Sequence, residues 1–401
     1  MRNLRADFPI FTNQPSLVYL DTAATSQKPQ VVIDAVSRFY TTSNANIHRG
    51  LYPLSAQATE QYEQARQTVA SFIGAKSARE IIFTRGATEG LNLLAQILGS
   101  TLKSGQNIIL SDLEHHSNLI PWQQIVQKYS VELRFLESDQ EGNLHLENFQ
   151  TLLDQNTAIV SLTHCSNVMG TVTPIALFKK MMQEQGSDAI LIVDASQSVP
   201  HFSVSVQELD CDFLVFSGHK LYGPSGTGVL WGREELLAKL PPYQTGGDMV
   251  KTATLTSATW NDLPWKFEAG TPNIEGVIGL AAAINYIQEV GLAEISEHTQ
   301  KLHTYAWNKL SEVPQITLLG KPDPTSGIIS FTANLHPHDL AGLLGEKNIC
   351  IRAGHHCAAP LHEKLGVVAS NRISIGAYTT QEDIDAFLTA LVEITKEVAN
   401  V

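Results

Sequence analysis

A glycine-rich turn is an unusual setting for a charged side chain, yet Lys220 stands in one: Ser217-Gly218-His219-Lys220-Leu221-Tyr222-Gly223 continues to Gly226 and Gly228. Just upstream, the apolar run Ala189–Val193 ends in Asp194, followed by Ala195, Ser196 and Gln197. Taken singly, Lys220 reads as a solvated surface lysine and Asp194 as a helix N-cap. Both, however, follow consecutive runs of the kind that forms buried strands. An amine beside a carboxylate is the pair that pyridoxal phosphate (PLP) requires, one as nucleophile for a Schiff base and the other as acid partner for the pyridinium nitrogen.

A phosphate needs N–H donors, and Thr84-Arg85-Gly86-Ala87-Thr88-Glu89-Gly90 follows an apolar run and opens a helical pattern. The first N–H groups of such a helix and the Thr88 hydroxyl can receive a phosphate, although a strand-turn-helix with Gly and Thr is also common punctuation. Glu114-His115-His116 follows another run, where an imidazole can lie flat on an aromatic ring; the simpler reading is two histidines in a polar loop. Cys357 is preceded by Arg352, His355 and His356 and followed by Ala358-Ala359-Pro360, which reads as a break in regular structure. Positive charge near a cysteine favours the nucleophilic thiolate. Cys165, Cys211 and Cys350 read instead as small buried hydrophobes. A metal site built from His355, His356, Cys357 and His362 is disfavoured, because adjacent residues seldom point at one ion and zinc ligands come in spaced pairs.

The elements that must position these residues are legible as alternating short apolar runs and helical patterns. Ile81–Thr84, Asn107–Ser111, 158–162, Ala189–Val193 and 212–217 are rich in Ile, Val and Leu on both faces, as strands of a parallel sheet covered by helices are. In such sheets ligands bind beyond the carboxyl ends of the strands, where the polar residues above fall. After about residue 275 the pattern changes to a long helical stretch, a strand over 327–333, a helix near 339–346 and a strand over 372–375, which reads as a smaller α+β domain. The last helix is announced by Thr380 and Asp383 at capping-box spacing, with Ile384, Phe387, Leu388 and Leu391 as its core stripe. No internal repeat, low-complexity segment or Pro-rich linker interrupts the chain.

Length and composition bound the function. The 401 residues exceed one ordinary core and predict about two or three domains. With 43% hydrophobic and 17% charged residues the chain is of globular type, and a formal charge of −13 without a basic stripe argues against nucleic acid or an anionic membrane as partner. No signal-peptide core opens the chain, and no stretch approaches the roughly 20 apolar residues of a membrane span. Four cysteines without a C-x-x-C pair fit a reducing compartment, so a cytoplasmic location is expected.

Together, Ser217-Gly218-His219-Lys220, Val193-Asp194-Ala195-Ser196-Gln197, Glu114-His115-His116 and the segment from Arg352 through Cys357 to Leu361 resemble the motifs of group II, SUF-type cysteine desulfurases of the class V aminotransferase fold. The resemblance begins at Tyr19-Leu20-Asp21-Thr22-Ala23-Ala24. It continues through His48-Arg49-Gly50, Phe267–Asn273 and Asn371-Arg372, and so covers nearly the whole chain. It implies an α/β, fold type I large domain with a mainly parallel sheet over residues 21–275. A smaller α+β domain over 276–401 would carry the sulfur-accepting cysteine, and an N-terminal segment, 1–20, would pack on it.

The resemblance also implies roles. Lys220 holds PLP through a Schiff base, Asp194 meets its ring nitrogen, Gln197 its phenolic oxygen, and His115 stacks on the ring. Ala87, Thr88, Ser217 and His219 surround the phosphate, and Thr271 completes the site of the other subunit of a homodimer. Arg372 takes the substrate carboxylate, with Asn167, His48 and Arg352 near the substrate. For Arg372 considered alone, a structural salt bridge is the simpler reading. Cys357 takes the sulfur of L-cysteine as a persulfide and hands it to an acceptor protein, for iron–sulfur cluster assembly, leaving alanine. A selenocysteine lyase, a cystine C–S lyase or a kynureninase-like hydrolase shares the Lys and Asp but need not use a cysteine nucleophile, so Cys357 discriminates. A carrier that only docks partners has no need of Lys220, Asp194 and Cys357 together.

Overall fold

The structure, a computed structural model, describes residues 4–399. The short strand β1 (Val18–Tyr19) precedes seven strands of one sheet: β2 (Ile81–Thr84), β3 (Asn107–Ser111), β4 (Glu132–Leu136), β5 (Thr157–Thr163), β6 (Ile190–Asp194), β7 (Phe213–Ser217) and β8 (Gly228–Gly232). Their order is β2-β8-β7-β6-β5-β3-β4. Neighbours from β7 across to β4 are parallel, and β8 runs antiparallel to both β2 and β7. The sheet is therefore mainly parallel, as expected, with one reversed strand.

Burial on both faces explains the continuous apolar runs. Ile109, Val160, Leu191, Val193 and Leu214 enter one core, while the alternating Ile108, Ile159, Ile192, Phe213 and Val215 enter the core on the opposite face. Each such side chain, removed from water, contributes about 1.5–3 kcal/mol, which holds the strand ends in fixed register. The edge strand β4 is the exception. It exposes Glu132, and Arg134 pairs with Asp154 at 2.7 Å, charges that keep an open edge from pairing further.

The exposed hairpin β9 (Val250–Ala253) and β10 (Ala258–Trp260) follows. The helix Ile274–Val290 buries Leu280, Ile284 and Ile287 in a large-sheet core. The next helix, Leu292–Ser311, turns away by 76° across Gly291, whose φ of 94° suits glycine, and sends Leu302, Ala306 and Leu310 into a separate core. That core lies against a second, antiparallel sheet of β11 (Ile316–Leu319), β12 (Ile328–Ala333), β14 (Arg352–Gly354) and β15 (Ser370–Ser374), in the order β11-β12-β15-β14. Between them β13 (Ile349–Cys350) pairs in parallel with β1, Val18 opposite Ile349.

The last helix, Gln381–Ala399, starts at the expected capping box: the Thr380 N–H donates to Asp383 Oδ2 at 2.9 Å and the Asp383 N–H to Thr380 Oγ1 at 3.3 Å. Ile384, Phe387 and Leu391 are fully buried, whereas Leu388, at the edge of the stripe, is half-buried. Among the described residues no single helix is long and apolar enough to cross a membrane.

Candidate functional site

The strand order reverses between β3 and β5, and the residues of interest collect beyond the strand ends at that switch point. Ala87, Thr88, His115, Asn167, Asp194, Gln197, Ser217, His219, Lys220 and Arg352 all line one cavity of about 160 Å³. Asp194 ends β6, opposite Thr163 of β5 and Val215 of β7, is buried, and accepts the Ser196 N–H at 3.0 Å. Lys220 ends a 3-10 turn that β7 feeds directly. Burial pushes its amine down to about 8; Asp194 opposes the shift and the guanidinium charges of Arg372 and Arg352 add to it.

His115 caps the helix His116–Tyr129, its Nδ1 accepting the Ser117 N–H at 3.1 Å. Burial, with Lys220 close by, pushes it down to about 3, so it presents a neutral ring to the cavity. Beneath it the buried Glu114 accepts hydrogen bonds from Ser111, Asn118 and the Thr163 N–H, and burial lifts its carboxyl to about 7. At the far end of the cavity the helix Ala87–Gly99 begins; the Ala87 N–H donates to Ser217 Oγ at 2.9 Å, and Thr88 is exposed at the cavity wall. Gly228 permits this close approach, since a Cβ there would stand 2.4 Å from the Gly86 Cα. His219 is pushed down to about 4, chiefly by burial.

These residues fit PLP. The cavity offers an amine, a buried carboxylate, a neutral flat imidazole and, at Ala87 and Thr88, a helix N-terminus. Gln197 donates to the Ala23 carbonyl at 2.8 Å while its Oε1 is buried without a partner among the described residues, a polar atom awaiting a polar neighbour.

The cysteine stands beside this cavity on the turn between β14 and the helix Ala359–Lys364. Arg352 Nη2 donates to Cys357 Sγ at 3.5 Å. Arg372 lies directly opposite Arg352 in the β14–β15 register and is fully buried. Its Nη1 donates to the Asn167 carbonyl at 2.9 Å and its Nη2 meets Asp21 at 3.2 Å, while Nε is left without a partner among the described residues. A salt bridge thus exists, and the guanidinium retains donor capacity; burial pushes its pKa down to about 10. His356 and His362 both reach Ser370 Oγ, at 3.0 and 2.9 Å, rather than sharing a point with Cys357. Cys165 and Cys211 are buried as expected, whereas Cys350, in the two-residue strand β13, is only half-buried.

Four of the expected site residues do not line this cavity: Cys357 and Arg372 stand beside it, hydrogen-bonded to Arg352 and to the Asn167 carbonyl respectively, while Thr271 and His48 lie elsewhere. Thr271 is exposed and borders a cavity with Thr84, Arg85 and Glu89. His48, with φ 67°, pairs with Glu63 at 2.8 Å and borders another with Arg49 and Asp248. Conversely, Thr163, Ser196 and Ala24 line the PLP-type cavity without having been singled out. Thr163 ends β5 as Asp194 ends β6, so the same strand-end rule reaches it.

The whole chain can be set beside known proteins. Residues 18–387 match the model of the aminotransferase class-V family. A cysteine desulfurase of Escherichia coli is 45% identical over 397 residues, 98% of this chain and 97% of the relative. One of Salmonella agona is 45% identical over 400 residues, 98% of each. Among solved structures, the apo cysteine desulfurase of Thermococcus onnurineus superposes with a TM-score of 0.94 at 39% identity over 99% of both chains. The Escherichia coli cysteine desulfurase CsdA, with S-sulfonic acid, superposes at 0.91 with 36% identity over 98% of both. A fold with a mainly parallel sheet, a lysine–aspartate cavity at its switch point and similarity to these proteins over nearly the whole chain place it in the class-V aminotransferase family, among the PLP-dependent cysteine desulfurases.

Proposed function

We propose that the enzyme is a group II, SUF-type desulfurase in which Cys357 removes sulfur from L-cysteine as a persulfide and passes it to an acceptor protein, in the cytoplasm, for iron–sulfur cluster assembly. The observation that carries this reading is the hydrogen bond from Arg352, a wall of the Lys220 cavity, to the Cys357 sulfur. Bound PLP supplies an electron sink for the substrate Cα.

The chain's own residues do the rest. Arg372 receives the substrate carboxylate through donors that Asp21 and Asn167 leave free, and so orients the bonds at Cα. Lys220, an amine whose pKa is near neutrality, takes the Cα proton. Asp194 would meet the ring nitrogen, His115 would cover the ring, and Gln197 would meet its oxygen. Ala87, Thr88, Ser217 and His219 would hold its phosphate. The Cys357 sulfur then attacks the substrate Sγ: an S–S bond forms, the Cβ–S bond breaks with its electron pair kept on carbon, and protonation there, with return of the Cα proton from Lys220, yields alanine. Storing the sulfur covalently divides a difficult transfer into two steps. His48 and Thr271 act, on this reading, across the interface of a homodimer.

Alanine release from L-cysteine tests the assignment. We expect slow release by the enzyme alone, faster release with a persulfide-accepting protein, and loss of at least ~100-fold in Cys357→Ala with cofactor content unchanged. Release at the parental rate by Cys357→Ala would transfer the chain to the C–S lyase reading.

A further inference from the structure

The turn that carries Cys357 is held in a conformation its own residues disfavour. His356 and Cys357 both have positive φ, 51° and 59°, a region uncommon for residues with a Cβ and kept only where surrounding contacts over-determine it. One contact is the turn's own, the Ala358 N–H donating to the His355 carbonyl at 2.8 Å; the others come from outside it. Asn167 Nδ2 donates to the His356 carbonyl at 2.7 Å. His116 makes two contacts that bracket the cysteine: its backbone N–H donates to the Cys357 carbonyl at 2.7 Å, and its ring Nε2 accepts the Ala359 N–H at 3.1 Å.

The ring contact requires an unprotonated Nε2, with the proton on Nδ1. Burial and the neighbouring His355 lower the His116 pKa, which favours that neutral form. His116 also follows directly on His115, whose ring lines the Lys220 cavity. One strand end thus sets both the cavity wall and the position of the sulfur beside it.

We infer that His116 is a positioning residue for sulfur transfer: by accepting the Ala359 N–H it locks Cys357 in its left-handed conformation, with the sulfur against Arg352 at the edge of the cavity. The inference rests on the reading of Cys357 as the sulfur acceptor. A nucleophile misplaced by about 1 Å loses up to about 100-fold in rate, so the bracket matters to sulfur transfer rather than to cofactor or substrate binding.

Three variants of the PLP-loaded enzyme test it. His116→Leu removes the acceptor; His116→Asn is too short to restore it and serves should the leucine variant fold poorly; His116→Gln carries an amide oxygen close to where Nε2 stands. In hydrogen-exchange mass spectrometry, peptides spanning 355–362 should lose about tenfold or more protection in the Leu and Asn variants and stay near parental in Gln. In single turnover, sulfur loading of Cys357 should slow about 10- to 100-fold in Leu and Asn with the cysteine KM little changed, and Gln should return to within about threefold of the parent. Parental protection in the Leu and Asn variants, lost protection with parental sulfur loading, or a Gln variant as slow as Leu would each overturn the inference alone. Absence of sulfur on Cys357 in the parent enzyme would overturn the acceptor reading and this inference with it.

Discussion

Lys220 and Asp194 owe their chemistry to position rather than to type. A lysine amine in water is protonated throughout the neutral range, whereas burial brings Lys220 down to about 8. The unfolded chain therefore binds more protons than the folded one between about pH 8 and 10.5, and this group favours folding increasingly as pH rises through that window. The same shift governs cofactor attachment, since only the neutral amine attacks a carbonyl. Added to cofactor-free protein, PLP should bind covalently at a rate that climbs about tenfold per pH unit below the shifted pKa and levels off above it. Stopped-flow absorbance checks the profile, and borohydride reduction followed by peptide mapping should find the adduct on Lys220; an adduct on another lysine contradicts the assignment. These two residues were legible because each follows an apolar run. Asp21 and His116 were not singled out, although both lie in quoted motifs: their partners, Arg372 and Ala359, are hundreds of residues away in sequence, and only packing reveals such pairs.

At the scale of elements, the cavity is walled by residues at or just beyond the carboxyl ends of β3, β5, β6 and β7, with the start of the helix Ala87–Gly99 at one end. Gly228 makes that placement possible, sitting between Thr84 and Ser217 in register. Gly228→Ala should push Gly86 away, break the Ala87–Ser217 hydrogen bond and weaken PLP retention, at a cost of about 1–3 kcal/mol in stability from overpacking. Equilibrium dialysis of the cofactor alongside chemical denaturation measures both, and unchanged retention would show that this end of the cavity does not hold the phosphate. The central strands were readable from continuous apolar runs. Less visible were β4, whose edge position leaves it largely unburied, and β8, where Gly228 and Gly232 flank an apolar stretch of only three residues and read as part of the turn. The hairpin of β9 and β10 is exposed along its length, so no hydrophobic pattern marks it.

The molecule as a whole leaves work for a second copy. Thr271 and His48 lie away from the Lys220 cavity of their own chain, and Leu51 and Leu255, near His48 in sequence and on the hairpin tip respectively, are fully exposed. Large apolar side chains in such places are expected at interfaces. On the homodimer reading, dilution should weaken PLP retention in step with dissociation, and Thr271→Ala should loosen the cofactor without altering the chain's own cavity. Sedimentation velocity paired with cofactor absorbance follows both; a monomer that retains full cofactor and activity is incompatible with that reading. Assembly was legible only through the family resemblance, since one chain's periodicity carries no information about its partner.

The central claim, that Cys357 takes the substrate sulfur, is tested most directly by intact-peptide mass spectrometry of the enzyme after a single turnover with L-cysteine. The expected result is one added sulfur on the peptide carrying Cys357, absent from Cys357→Ala. Sulfur found instead on Cys165, Cys211 or Cys350, or alanine formed with no sulfur retained on the protein, would contradict it.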